Sequence, residues 1–316
     1  MLIPKARGDL SAEVFARLVD DADLAGVDAS TSESPEDAHI ALWAMYELHY
    51  RGFENVDSRR EWDPDLIRLR RALEDDFEAA LESRFTPPAL VGDPVELLWD
   101  VIDVHDRRSV AQFIQRRADR SQVLEVLRHR SIYHLKESDP VAWLVPRLSH
   151  RTQAALMELQ FDEYGGGNPN RLHAHLFAEA LDEVGLRPEY GAYIDEVPVE
   201  ILQVNNAMSM FGLHRRLRGA ALGHLAAFEA TSSLPSRRMS QGLRRLGLGE
   251  RVAAYYDEHV EADAVHEQLA TRTICGALMS EEPELVPSVL FGAFTCLDLE
   301  DRYAGVVLGE RKTGAA

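Results

Sequence analysis

Apolar residues recur at three- and four-residue intervals along almost the whole chain, the spacing that gives a helix one buried face. Ser34-Pro35-Glu36-Asp37 reads as an N-cap, a proline in the first turn and first-turn acids. The helix it opens runs through Ala41 to Glu47. Further helical patterns cover about 63–85, 93–103, 109–128, 140–164, 170–185, 196–231, 236–246, 250–272 and 282–310. Thr86-Pro87-Pro88 stops the first of these, because proline removes a donor and clashes with the preceding turn. Gly165-Gly166-Gly167-Asn168-Pro169, Gly185 to Pro188 and Thr231 to Pro235 read as helix–helix connections. No sustained period-two alternation occurs, so the expected fold is all-α. The stretch Thr86 to Pro94 is a soft boundary between an N-terminal helical region, 1–110, and a main bundle, 111–316.

The 316 residues suffice for a large core, and 46% of them are apolar. A net charge of -19, from 34 Lys+Arg against 53 Asp+Glu, argues against a general nucleic-acid binder or an anionic-membrane binder. The two cysteines, Cys275 and Cys296, have no CxxC spacing, which suits a reducing compartment. The N-terminus lacks the apolar stretch of a signal peptide and no apolar run reaches membrane-spanning length, so a cytoplasmic location is expected.

The sharpest chemical signal is Asp257 to His266, where His259, Asp263 and His266 stand at i, i+4 and i+7. At roughly 100° per residue they fall within about 60° of one another on one helix face. Two imidazoles and a carboxylate suit iron, manganese or zinc, and the lack of a thiolate favours the first two. An exposed polar stripe would read the same way. Glu163 precedes the glycine–proline break and His173 follows it; an unbroken helix would hold them roughly 80° apart, whereas a bend there would bring both to one centre. Glu137, in the run Tyr133 to Pro140, is a third candidate, or an ordinary solvated acid before a helix.

In order and wording these residues resemble the haem-oxygenase-like diiron oxidases, or iron-containing redox enzymes. The matching runs are Leu135-Lys136-Glu137-Ser138-Asp139-Pro140, Phe161-Asp162-Glu163-Tyr164-Gly165-Gly166-Gly167, with His173 ten residues after Glu163, and Glu258 to Glu267. The resemblance covers about 130–275. It implies a seven-helix bundle with extra N-terminal helices, which some relatives use to form homodimers. It implies two iron ions, held by Glu137, Glu163, His173, His259, Asp263 and His266, with dioxygen as cosubstrate. One iron takes ligands mostly from the earlier segments and the other mostly from the late helix. Three carboxylates against two Fe(II) leave a net charge of +1. The activity implied is monooxygenation of a small molecule: N-oxygenation of an amine or guanidine first, oxidative C–C or C–H cleavage of a fatty acid or amino acid second. Tyr164 and Asp162 are the nearest candidates to tune the centre, and Arg215, Arg216 and Arg218 the candidates to bind a substrate carboxylate, unless they form a solvated face.

Three other readings compete. A ferritin-like centre would use Glu36-x-x-His39, which looks more like a helix start. A haem oxygenase proper would need a proximal ligand such as His49. A non-catalytic scaffold would use Asn205 to Phe211 as an interface and His224-x4-Glu229 as polar packing. No dinucleotide fingerprint or Walker loop occurs, so electrons have to come from an external donor, a small reductant or the substrate.

Overall fold

The structure is a computed structural model; it describes residues 1–103 and 108–309, the side chains of 261–264 excepted. Among the described residues there is no strand. The N-terminal helices are α1 (Asp9–Val19), α2 (Pro35–Glu47), α3 (Pro64–Glu82) and α4 (Pro94–Asp103). There follow α5 (Val110–Arg116), α6 (Arg120–His134), α7 (Asp139–Ala142), α8 (His150–Glu163), α9 (His173–Glu183) and α10 (Val199–Leu213). The chain then builds α11 (Arg218–Arg245), α12 (Glu250–Gln268), a π-helical segment (Leu269–Cys275), α13 (Gly276–Glu281) and α14 (Val286–Val307).

Local chemistry accounts for several boundaries. Ser34 caps α2 by accepting from the Asp37 N–H, with Pro35 in the first turn. The pattern at 109–128 is two helices, because Asp119 and Gln122 form a capping box that starts α6 afresh. The pattern at 140–164 is likewise interrupted, by Pro146 in a 3-10 turn and a new start after Ser149. The largest departure is α11. Thr231 to Pro235 was expected to connect two helices, yet one helix runs through it with Pro235 inside. The hydroxyls of Thr231 and Ser232 donate back to the carbonyls of Ala227 and Phe228 at 2.7 and 2.6 Å, a local bond that helices accommodate.

One contiguous buried cluster takes in residues of α1–α4 together with α10, α11 and α14; a second lies among α5, α6, α9, α11 and α12. The long helix α11 lines both. It meets α14 at backbone distance: a Cβ on Gly223 would lie 1.9 Å from the Val289 carbonyl oxygen, and one on Gly292 would lie 1.9 Å from that of Ala220. Glycines on both sides therefore fix how deep α11 sits, and α11 carries Glu229 into the interior.

Candidate metal centre

Five elements converge on one buried place. Glu137 lies in the four-residue turn 135–138 between α6 and α7. Glu163 is the last residue of α8 and His173 the first of α9. Between them Gly165, Gly166 and Gly167 all have φ between 62 and 80°, the left-handed region that only glycine enters freely. Gly165 also passes so close to Arg171 that a Cβ there would meet its carbonyl carbon at 2.6 Å. The chain thus doubles back and sets His173 Nδ1 3.0 Å from Glu163 Oε2. The His173 and His259 rings stack with centroids 4.6 Å apart. His266 Nδ1 lies 3.6 Å from Glu163 Oε1 and 3.5 Å from Glu229 Oε2.

The expected residues Glu137, Glu163, His173, His259 and His266 are therefore neighbours, while the side chain of Asp263 lies outside the described residues. Glu229 joins them, a residue that the sequence offers only as polar packing under the scaffold alternative. It is 6% exposed, and with Glu163 and His266 it offers ligand atoms all within 4.8 Å of one another. Its signal was there to read: a carboxylate in the apolar run Leu225-Ala226-Ala227-Phe228-Glu229-Ala230, on a helix that has no water to offer it.

Each charge reflects its neighbours. Burial, reinforced by Glu163, pushes the Glu137 carboxyl up to about 7, and burial raises Glu229 to about 7. Burial works against a charged Glu163, but His173, His259 and His266 outweigh it and hold its pKa below the usual value. Burial likewise opposes a charged His266, and Glu229 and Glu163 raise it to about 9 regardless. Without a cation, protons balance the acids here.

The donor set fits a metal ion. His259 Nε2 is buried with no hydrogen-bond partner among the described residues, a costly state unless something takes its lone pair, and the buried Nδ1 atoms of His173 and His266 face only the carboxylates of Glu163 and Glu229. The opposite nitrogens are held: His259 Nδ1–H donates to the Tyr255 carbonyl at 2.8 Å, and His266 Nε2 lies 3.4 Å from Asp162 Oδ2. Fixing one imidazole nitrogen so that the other faces inward is how metal-ligating histidines are oriented. All donors are nitrogen or oxygen. Cys275 lies apart, its thiol donating to the Leu222 carbonyl, so the set is a nitrogen–oxygen one that suits iron, manganese or zinc.

The carboxylates form one side of a cavity whose wall also includes Val141, Leu159, Met208, Phe211, Leu225 and Phe228, with Tyr133, Ser138, Gln160 and His224 as its neutral polar groups; no Lys or Arg lines it. Of the three arginines offered for a substrate carboxylate, Arg216 pairs with Glu78 and Arg218 with Glu282, Arg215 is exposed, and none of them lines the cavity. Tyr164 turns to Asp139, donating to it at 2.9 Å, so Asp162 alone of the two tuning candidates reaches a histidine of the centre.

The competing ligands are committed elsewhere. His49 is held between Glu61 and Arg70, and His39 between Gln203 and Asn206 at 3.0 and 3.2 Å. Asn205, Asn206, Met210 and Phe211 are buried in α10 and offer no surface for an interface.

Fold and site together define an all-α protein with a buried histidine–carboxylate centre. The chain belongs to the family of iron-containing redox enzymes, whose pattern matches residues 124–301; it is a haem-oxygenase-like helical protein of an oxidoreductase family. No curated protein matches the chain. No helix among the described residues is long and apolar enough to cross a membrane.

Proposed function

We propose that this chain binds two iron ions and uses dioxygen to oxidise a small organic molecule. The observation that carries the reading is three buried imidazoles turned towards three buried carboxylates, with His259 Nε2 lacking any partner among the described residues. Glu137, His173 and His259 would hold one ion, and Glu229 and His266, with Asp263 from the same helix, the other. Glu163 stands between the groups, one oxygen near His173 and the other near His266. With Glu229 the carboxylates number four, so two Fe(II) are neutralised and the +1 expected from three acids disappears. Bound iron would supply dioxygen activation and redox equivalents. The protein's own part is to orient the imidazoles through Tyr255 and Asp162, to release protons from Glu137 and Glu229 as cations enter, and to keep water out with an apolar wall.

The substrate reading is coarser. N-oxygenation of an amine or guanidine rests on family resemblance. The apolar side chains on the cavity wall favour a second reading, C–H or C–C cleavage on an apolar chain such as that of a fatty acid, whose carboxylate would have to stay outside the cavity because no Lys or Arg lines it. The test is dioxygen uptake with product mass analysis on iron-loaded protein, across matched amines, guanidines, amino acids and fatty acids. Uptake coupled to an oxidised product of one class supports the reading; iron-loaded protein that consumes no dioxygen with any class overturns it.

A further inference from the structure

Glu137 differs from the other members of the centre in lying on no helix. It sits in the turn 135–138, so its place depends on what grips that turn. The grip comes largely from the N-terminal helices. Lys136, its immediate neighbour, is 3% exposed, and its Nζ lies 3.1 Å from Oε2 of Glu47, which is 0% exposed and ends α2. The same oxygen accepts from the Tyr190 hydroxyl at 2.8 Å. The ammonium also lies 4.2 Å from the centroid of the Tyr50 ring, with Trp43 and Tyr190 beyond it at 5.9 and 5.7 Å. On one side of Glu137, Arg51 donates to the Leu135 carbonyl at 2.9 Å; on the other, it lies 3.8 Å from Asp139. Asp139 is further held by Tyr164, and Ser138 donates to Glu163 at 3.0 Å.

A buried Lys–Glu pair is weak evidence for stability, since stripping both charges of water offsets their attraction. It is strong evidence for position. Neither partner can shift by more than a hydrogen bond's tolerance without stranding a charge in an aromatic surround. We propose that Glu47 and Arg51 are positioning residues of the metal centre: through Lys136 and the Leu135 carbonyl, α2 and the turn after it fix Glu137 for metal binding. The N-terminal helices then belong to the centre itself. This inference rests on the iron reading above.

The test is anaerobic Fe(II) titration of the full-length protein with chelator competition, with Co(II) visible spectra reporting ligand changes. Wild type and Glu137→Gln set the limits, two ions and one. Lys136→Met, Glu47→Gln and Arg51→Gln are each expected to weaken the same single ion as Glu137→Gln, by about 10–100-fold, the usual effect of losing a partner that orients a ligand. Their Co(II) spectra should shift towards that of Glu137→Gln. If Lys136→Met does not fold because Glu47 is stranded, Glu47→Leu/Lys136→Met removes both charges, and Arg51→Gln alters a half-exposed side chain. Arg84→Gln is the stability control: it breaks the ion pair with Asp298 beyond the end of α3 and should lower Tm with both ions bound as in wild type. The inference is overturned if wild type takes two ions and the turn variants do too at wild-type affinity, or if they lose both ions only in step with Tm. Wild type that takes up no iron fails the iron reading instead, and is recognised by that.

Discussion

Replacing Gly223 by alanine tests the close approach that seats α11. The added Cβ would lie 1.9 Å from the Val289 carbonyl oxygen and 2.7 Å from its carbon. Ordinary contact is roughly 3.4–4 Å, so the two helices must part by more than an ångström or bend. Overpacking against side chains costs about 1–3 kcal/mol. Here the obstacle is backbone, so the upper end, about 3 kcal/mol, applies, less at most about 1 kcal/mol returned by alanine's helix propensity. An unfolding entropy of about 2.1 cal/mol/K per residue over 316 residues converts a net loss of about 2–3 kcal/mol into a Tm fall of about 3–5 °C. Gly276→Ala is the matched control. Its Cβ would meet Val95 Cγ2 at 3.4 Å, an ordinary contact, so up to about 1 kcal/mol should be gained and Tm should rise by about 1 °C. Scanning calorimetry of both variants decides it. Gly223→Ala melting at or above wild type would refute the close-packing argument, and with it the claim that this contact sets the depth of Glu229.

Two further expectations come from single side chains. Glu229→Gln, which keeps the shape and removes the charge, should lower iron content by about one ion per chain, whereas exposed Glu158→Gln should leave it unchanged; metal analysis after desalting checks this, and equal iron in both would remove Glu229 from the centre. Burial, with Arg302 nearby, lowers the His39 pKa to about 3. A depressed histidine pKa favours the folded state above about 6.5 and loses that contribution as pH falls towards the folded value, because the unfolded chain then binds the extra proton. Wild type should therefore lose about 2 kcal/mol relative to His39→Gln between pH 7 and pH 5, measured by denaturant unfolding; parallel pH profiles would contradict a neutral buried His39.

Periodicity and caps are local, and the features they govern were legible: the start of α2 at Ser34, the end of α3 ahead of Thr86-Pro87-Pro88, though at Glu82 and not Phe85, and the all-helical class. The His259–His266 spacing and the glycine break before His173 were legible too, because a helix face and a turn each leave a mark within ten residues. What escaped was decided across the fold. Thr231 to Pro235 has the composition of a loop, but packing of α11 along both of its neighbours carries the helix through the proline, with the two hydroxyls turned back onto the preceding turn. Glu229 looked like incidental polarity because its partners, Glu163 and His266, stand 66 and 37 residues away in sequence. The grip on Glu137 was equally hidden, since Glu47 and Lys136 meet only in three dimensions.

The central claim is tested most directly by iron stoichiometry. Full-length protein, reconstituted anaerobically with enriched Fe(II), desalted and analysed by metal assay and Mössbauer spectroscopy, should hold two high-spin ferrous ions per chain in nitrogen–oxygen surroundings. Folded protein that retains no iron, or that saturates at one ion, would contradict the account.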